Sequence, residues 1–585
     1  MSVEIRNLTV TYFGNDFPSL KDINLKIEEG ERVAILGPSG SGKTTLILTL
    51  NGAIPEEVPA LIEGEVIIDG LSTKDHGMSQ LSRIVGIVLD EPSLQIFALT
   101  VEDDVIFGPS NLGLPRDEII ERYKFALKAT RLEGFEKRNT MSLSGGEQQS
   151  LVLAGVLAMK PKVMALDEPI SKLDPIGKDK VFSTLKAMSD RYKTTCIITE
   201  SGLDLEYLTD YVHRIIVLYN GKILLDDTPE KVLASDVVDK IGVGRPPIMD
   251  LSLKLRKNKG INIPSPLNLN MVAQYIRDYV KKSGRTISSP SSLEMEKFIY
   301  GNDKPIPLNP IIKVKNLHHI YPATPPIHAL KGVSLEIYPG EMVGIIGQNG
   351  SGKTTLALHL VGVLKPSNPD AEIIVDGKDV TKIKPKDIGR YINYVFQNPN
   401  LQLFAKNVYE EVAYGLRMHG LSEEEISSRV SNILEVFDIS DIQEKPIMTL
   451  SANERVFVAI ASVMVLNPKV LILDEPTCRL DRHYSEKLLK ILLDFNKKGL
   501  TILLISHHME HVAKFCRRVI LMARGEILID GPTKVVFSKP EILEKASIKP
   551  PQITRLCQML EDLKFPRDIL TPEEFYNFMT NELML

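Results

Sequence analysis

GPSGSGKTT, running from Gly37 to Thr45, recurs as GQNGSGKTT from Gly347 to Thr355, 310 positions further along the chain. Each follows an apolar run, ERVAILG (Glu31 to Gly37) or EMVGIIG (Glu341 to Gly347), that reads as a buried strand feeding a Gly-rich turn. Both fit G-x-x-x-x-G-K-[ST], through Gly37, Gly42, Lys43 and Thr44 and through Gly347, Gly352, Lys353 and Thr354. In this pattern the glycines let backbone N–H groups converge on a phosphate at a helix N-terminus. The lysine bridges the β- and γ-phosphates, and the threonine hydroxyl binds Mg2+. The residues expected around a nucleotide's phosphates are therefore Gly37, Pro38, Ser39, Gly40, Ser41, Gly42, Lys43, Thr44 and Thr45. Their counterparts are Gly347, Gln348, Asn349, Gly350, Ser351, Gly352, Lys353, Thr354 and Thr355.

The repetition extends well beyond these loops. MALDEP, with Asp167, returns as LILDEP, with Asp474, 307 positions on, and the motifs keep their order in both copies. The tails repeat too: RPPIMDLSLKLRK from Arg245 resembles KPPQITRLCQMLEDL from Lys549. Chance similarity between two apolar-rich halves does not hold so many motifs in register, so the chain reads as an internal duplication. Each half alternates short β-branched runs (KVMALDE and KVLILDE, TTCIITE and LTILLIS) with longer amphipathic stretches, predicting parallel strands and crossover helices. VEIRNLTVTY and IKVKNLHHIY, ahead of the loops, read as antiparallel strands at a sheet edge. Ser283 to Pro310, rich in Ser, Pro and polar residues, is either a linker or an ordered surface loop.

Composition bounds the setting. A chain of 585 residues holds several domains, each able to bury a core. A net charge of −5 argues against a dedicated nucleic-acid binder, so no nucleic-acid partner is expected. Cys196, Cys478, Cys516 and Cys557 are scattered without metal or redox spacing, which suits a reducing cytosol. No apolar run reaches the ~18–20 residues of a membrane span, and MSVEIRNLTV lacks the pattern of a signal peptide.

A phosphate loop needs a second oxygen ligand for its metal. Asp167 and Asp474 end apolar strands, where a carboxylate emerges beside the phosphates at the carboxyl edge of the sheet. Glu168 and Glu475 follow at once and point elsewhere, placed to polarise a water in line with the γ-phosphate, the alternative being a solvated turn at the strand end.

Over nearly the whole chain, both halves resemble nucleotide-binding domains of the ATP-binding cassette (ABC) superfamily. The marker is LSGGEQQ, beginning at Leu143, with Ser144, Gly145 and Gly146 at a helix start upstream of the metal aspartate. The resemblance implies an α/β fold of two tandem P-loop NTPase (ABC-type) domains. Each would have a RecA-like core, an antiparallel β subdomain, a helical signature subdomain and a small helical C-terminal tail. The expected boundaries are 1–240 and 241–282 for the first domain and its tail, 283–309 for the linker, and 310–545 and 546–585 for the second. Tyr12 and Tyr321 match the family's adenine-stacking aromatic, or are edge-strand aromatics packing on the core. In the family the signature grips the γ-phosphate across a head-to-tail interface, so each ATP lies between one half's P-loop and the other half's signature.

The halves differ where the family has its chemistry. Gln397 in VFQNP matches the metal- and water-contacting glutamine, and His507 in ISHH the γ-phosphate-contacting histidine. The first half has Asp90 and Glu200 at those places. Conversely, the second signature reads LSANE, with Ser451 retained and Ala452 and Asn453 replacing both glycines. Head-to-tail pairing then implies one complete site: Lys353, Thr354, Gln397, Asp474, Glu475 and His507 facing Ser144, Gly145 and Gly146. The other joins Lys43, Thr44, Asp90, Asp167, Glu168 and Glu200 to Ser451, Ala452 and Asn453. There Glu200 is expected to set a negative charge near the γ-phosphate, and the two side chains to obstruct backbone approach. ATP should still bind there, because Asp90 offers oxygen to Mg2+ and Lys43 is intact.

SLQIFALTVEDDVIFGP from Ser93 and NLQLFAKNVYEEVAYGL from Asn400 resemble a stretch of the ATPase subunits of energy-coupling-factor transporters, importers of micronutrients. In that family the segment and the helix after it form a groove for coupling helices of a membrane subunit. Gln95, Phe97, Gln402 and Phe404 match the pattern, with ordinary core contacts as the alternative. The resemblance implies integral membrane partners docking around Gln95–Phe97 and Gln402–Phe404, and a place at the cytoplasmic face of the membrane. The second reading is a soluble ABC ATPase of translation or DNA repair. The first such type would carry a cysteine-rich iron–sulfur segment or a long charged arm between domains, the other zinc cysteines or a coiled coil. None is visible in the sequence. A catalytically inert nucleotide-sensing scaffold is disfavoured by the complete site.

Overall fold

The computed structural model describes residues 2–283, 309–322 and 326–582, so the expected linker, 283–309, falls outside it except at its ends. The chain divides into two units. Among the described residues, the first runs to Leu253 and takes in Ser265–Asn268 and Asp481–His483. The second takes Lys254–Pro264, Leu269 to Leu480, and Tyr484 onward.

In the first unit, alternation of Val3 and Ile5 with polar neighbours makes β1 (Val3–Tyr12) a half-buried strand. The buried set resumes at Leu8 and Val10, one residue out of step. The sheet absorbs this slip as an irregularity between Ile5 and Leu8, where Asn7 takes a left-handed backbone (φ 48°). β1 lies between β2 (Leu20–Ile27) and β4 (Ala60–Ile68), and β5 (Leu71–Ser72) completes this antiparallel sheet.

The other sheet of this unit is six-stranded. Its strands are β3 (Arg32–Leu36), β6 (Val85–Val88), β7 (Val163–Asp167), β8 (Thr195–Glu200), β9 (Arg214–Tyr219) and β10 (Lys222–Asp227), in the order β10-β9-β3-β8-β7-β6. All neighbours pair in parallel except β10, an antiparallel edge. β3, β6, β7 and β8 are buried along their whole length, as expected of parallel strands covered on both faces. β3 and β7 are separated only by β8, so their carboxyl ends deliver Gly37, the Asp167–Glu168 pair and Glu200 to one edge.

The second unit repeats the plan with β11 (Ile312–Tyr321), β12 (Ile327–Ile337), β13 (Met342–Ile346), β14 (Glu372–Val375), β15 (Lys378–Asp379), β16 (Ile392–Val395), β17 (Val470–Asp474), β18 (Thr501–Ile505), β19 (Arg518–Ala523) and β20 (Glu526–Pro532). Its sheets run β12-β11-β14-β15 and β16-β17-β18-β13-β19-β20.

A helical layer stands beside each main sheet. In the first unit it comprises Val101–Asn111, Arg116–Thr130 and Gly145–Met159, whose Val105, Leu127 and Leu157 share one core with Leu36 and Leu166. In the second, Val408–Met418, Glu423–Phe437 and Ala452–Met464 bury Val412, Phe437 and Ile460, with Phe437 meeting Phe457 edge to face at 6.1 Å. Thr100, Asn407 and Ser422 accept the third helical amide at their helix starts, the ordinary work of these residue types at an N-cap.

The segment 241–282, expected as the first half's tail, is divided between the units. Helix Leu269–Ser283 groups with the second, where Arg277 Nε donates to Asp562 Oδ2 at 3.1 Å. Its Val272, Ile276 and Val280 are buried. Among the described residues no helix is long and apolar enough to cross a membrane.

Candidate functional site

The turn from β3 to helix Lys43–Thr49, and that from β13 to helix Lys353–Leu360, share a left-handed glycine just before the helix. At Gly42 and Gly352 φ is 103° and 102°, and a Cβ there would lie 2.6 Å from a backbone oxygen (of Ser19 and Ala329), so only glycine fits. Neither helix start carries a side-chain cap, which leaves its first amides as anion donors. The Lys43 ammonium donates to the carbonyls of Gly37 (2.7 Å) and Pro38 (3.1 Å). Lys353 makes the same bonds to Gly347 (2.8 Å) and Gln348 (3.0 Å), which centres each cation over its loop. Ser41 Oγ, buried in the first loop, has no hydrogen-bond partner among the described residues. An orphaned donor in a cradle of amides suits phosphate. The Tyr12 and Tyr321 hydroxyls lie 3.0 and 3.2 Å from Thr45 and Thr355 Oγ1, which ties each half-buried ring to the helix after the loop.

The two aspartates expected to hold a metal lie beside the threonines of the phosphate loops. Thr44 Oγ1 donates to Asp167 Oδ2 at 2.5 Å, and Thr354 Oγ1 to Asp474 Oδ2 at 2.7 Å. Burial pushes both carboxyls above the usual carboxylate range, and the hydroxyl donors oppose that shift. A threonine hydroxyl beside a carboxylate is an all-oxygen donor set that fits Mg2+. Asp90 and Gln397 both lie two residues beyond a strand end, at β6 and β16. Buried Lys172 donates to the Asp90 carbonyl at 2.5 Å and stands 3.8 Å from its carboxylate, so this charge has a counter-ion in its own half.

Glu168 and Glu475 take left-handed backbones, φ 47° and 48°, which few non-glycine residues adopt. Glu475 Oε1 stands 3.1 Å from His507 Nε2, and Oε2 accepts the His507 amide at 3.1 Å, both side chains buried. In the first half burial pushes Glu168 well up. Lys43 opposes this, and the charges of Glu200 and Asp90 add to it. The Glu200 carboxylate has an occupation the sequence does not foretell. Its Oε1 accepts the amides of Ser201, Gly202, Leu203 and Asp204, at 3.0 to 3.4 Å. Burial raises its pKa to about 7, Asp204 adds to the rise, and the amides and Lys178 oppose it. Glu200 thus caps its own loop, where the sequence suggested a charge held toward the γ-phosphate.

Both signatures are capping boxes. Ser144 accepts the Glu147 amide while Glu147 accepts that of Ser144, and Ser451 and Glu454 do the same. Ala452 and Asn453 therefore leave the helix start intact. A Cβ at Gly145 would meet no atom within 4 Å, so packing does not require glycine there.

The two glutamines of the segments after β6 and β16 turn inward. Gln95 donates to the Ile87 carbonyl (3.0 Å) and accepts from Leu89 N (2.7 Å), whereas Gln402 donates to the Ala459 carbonyl (2.7 Å). The phenylalanines turn outward: Phe97 is 59% exposed and Phe404 65%, beside Leu94 at 76% and Leu401 at 73%. Phe97 rests edge-on against Phe107 and Phe404 against Tyr414, at 4.2 and 4.8 Å. Asp104 and Glu411 hold the loops by accepting two amides each, those of Phe97 and Ala98 and of Phe404 and Ala405. Sequence reasoning missed this carboxylate brace, the Lys172 counter-ion, and two hydroxyls that donate to Asp167 and Asp474, those of Thr199 and Tyr394. Tyr394 alone carried a signal, a polar-tipped ring in an otherwise strand-like run.

The model of the ABC transporter family matches residues 20–171 and again 330–478. The chain is 36% identical to an ABC transporter ATP-binding protein of Methanosarcina mazei, over 99% of this chain and 97% of that one. It is also 36% identical to one from Caldanaerobacter subterraneus, over 95% of this chain and 96% of the other. Among solved structures, cbiO1 of Clostridium perfringens, part of the ABC transporter complex cbiONQ, shares 37% identity. That match covers 43% of this chain and 99% of cbiO1, with a TM-score of 0.37. The chain belongs to the ABC transporter family, as an ATPase with two tandem ABC domains in one polypeptide.

Proposed function

We propose that this chain is the ATPase subunit of an energy-coupling-factor-type importer of micronutrients, metal ions or vitamins, with two unequal ATP sites. The second half's P-loop, facing the first half's LSGGE, hydrolyses ATP. The first half's P-loop, facing LSANE, holds ATP or turns it over slowly. The Glu475–His507 pair carries this reading: an imidazole 3.1 Å from the carboxylate in one half, where the other half has a second carboxylate, Glu200.

The chemistry asks each side chain for one task. Lys353 and the loop amides hold the β- and γ-phosphates, and Thr354 with Asp474 and Gln397 holds Mg2+, which when bound offsets phosphate charge. Glu475 takes a proton from the attacking water as its oxygen bonds to the γ-phosphorus and the bond to the bridging oxygen breaks. His507 keeps Glu475 aligned, and Ser144, Gly145 and Gly146 supply donors with no side chain in the way. Tyr12 and Tyr321 stack on adenine.

The exposed apolar patches at Leu94, Phe97 and Phe107 and at Leu401, Phe404 and Tyr414 support docking of membrane subunits, one per half. The chain would then lie at the cytoplasmic face of the membrane. Purification from its own cells in mild detergent tests the transport reading: integral membrane proteins should co-purify. Recovery with ribosomes or DNA instead would overturn it. Glu475→Gln should stop turnover and Glu168→Gln should leave most of it.

A further inference from the structure

Each metal aspartate takes two hydroxyl donors, but the second donor comes from opposite sides. In the first half it is Thr199, on β8, which reaches Asp167 Oδ1 while Thr44 takes Oδ2. In the second half it is Tyr394, on β16, whose hydroxyl donates to Asp474 Oδ2 at 2.8 Å, the oxygen that already accepts Thr354 at 2.7 Å. The position of Thr199 is held there by Ser506, whose Oγ accepts the His508 amide. The position of Tyr394 is Ile87 in the first half, which has no hydroxyl. Tyr394 pairs with Ile472 across the parallel β16–β17 ladder, two residues before Asp474. Its ring meets Phe396 edge-on at 4.9 Å, which limits its swing.

We propose that Tyr394 is a positioning residue of the second half's metal site, fixing the Asp474 carboxylate through Oδ2 for the Mg2+ that accompanies ATP. The proposal rests on the reading that Asp474 is that site's metal carboxylate. A short bond from a strand-anchored ring selects one carboxylate rotamer. Thr354 alone leaves the group free to turn about a single contact, because its own hydroxyl must also serve the metal. The tyrosine brace is specific to the second half, so the two sites differ behind the metal as well as at Gln397 and His507.

Tyr394→Phe removes the hydroxyl and keeps the ring. The test uses the full chain carrying Lys43→Ala, to disable the first half's site, and Glu475→Gln, to stop turnover. Mn2+ replaces Mg2+ and is followed by electron paramagnetic resonance in the presence of ATP. Adding Tyr394→Phe should weaken Mn2+ binding roughly tenfold and broaden its spectrum, while ATP binding in EDTA stays unchanged. Unchanged Mn2+ affinity and spectrum would overturn the proposal. So would an equal loss of ATP binding in EDTA, which would make the ring a structural support only. Because turnover is silenced, these outcomes do not depend on which half hydrolyses ATP. If Asp474→Ala leaves Mn2+ binding intact, the underlying reading fails instead.

Discussion

His507 meets Glu475 at two points: its backbone amide donates to Oε2 at 3.1 Å, and its ring Nε2 stands 3.1 Å from Oε1. The backbone bond survives any substitution at 507 except proline, whereas the ring contact does not. His507→Ala should therefore lower ATP turnover about 100-fold through misalignment of the base, with ATP affinity changed less than about threefold. Single-turnover hydrolysis and equilibrium nucleotide binding, measured side by side, check this. Full turnover in the variant would show that the imidazole does nothing for Glu475.

Glu200 makes a pH-dependent contribution whose sign follows from its surroundings. Burial raises it to about 7, against ~4.3 for an unfolded glutamate. Between those values the folded state holds more protons, so stability from this group is complete below about pH 4 and lost as pH rises through about 7. Glu200→Gln removes the titration and keeps an acceptor for the amides of Ser201 to Asp204. The fall in Tm from pH 5 to pH 8 should be smaller in the variant by roughly 2–4 °C. Equal falls in thermal-unfolding scans would mean that Glu200 titrates as an ordinary glutamate.

Much of the fold and of the phosphate sites is legible in the amino-acid sequence. The P-loops, the Asp-Glu pairs and the alternation of strands and helices announce a duplicated parallel α/β fold, because phosphate cradles and doubly covered strands leave strict local patterns. The slip between Ile5 and Leu8 is not legible, since two apolar pairs out of step look like one alternating run. Nor is the destination of Glu200, because alignment with His507 gives the position of a side chain and not its rotamer. Gln95 and Gln402 show the same limit: they share a motif with exposed phenylalanines yet turn into their own units. Tyr394 shows as a polar-tipped ring in a strand-like run, but its partner stays hidden because Asp474 is 80 positions away.

Gly145 separates folding from function. A Cβ there meets nothing within 4 Å and alanine is no worse than glycine in a first helical turn, so Gly145→Ala should fold at least as stably as the parent. If its bare backbone serves the γ-phosphate, ATP turnover should still fall about tenfold or more. Denaturant unfolding and steady-state hydrolysis decide the matter, and retained turnover would remove Gly145 from the site.

Phe97 and Phe404 present apolar rings to solvent. Phe97→Ser combined with Phe404→Ser should leave ATPase activity of the isolated chain within about twofold. Affinity for the membrane subunits should fall by roughly 30-fold or more, the usual loss at buried aromatic anchors. Co-purification from membranes reads this directly, and an unimpaired complex would place docking elsewhere.

The central claim is that the two ATP sites do unequal work, and steady-state ATP hydrolysis by Glu475→Gln and by Glu168→Gln, in otherwise identical full-length chains, measures it. Glu475→Gln should fall at least about 100-fold, while Glu168→Gln should keep more than about half of the parent rate. Equal losses in the two variants would contradict it.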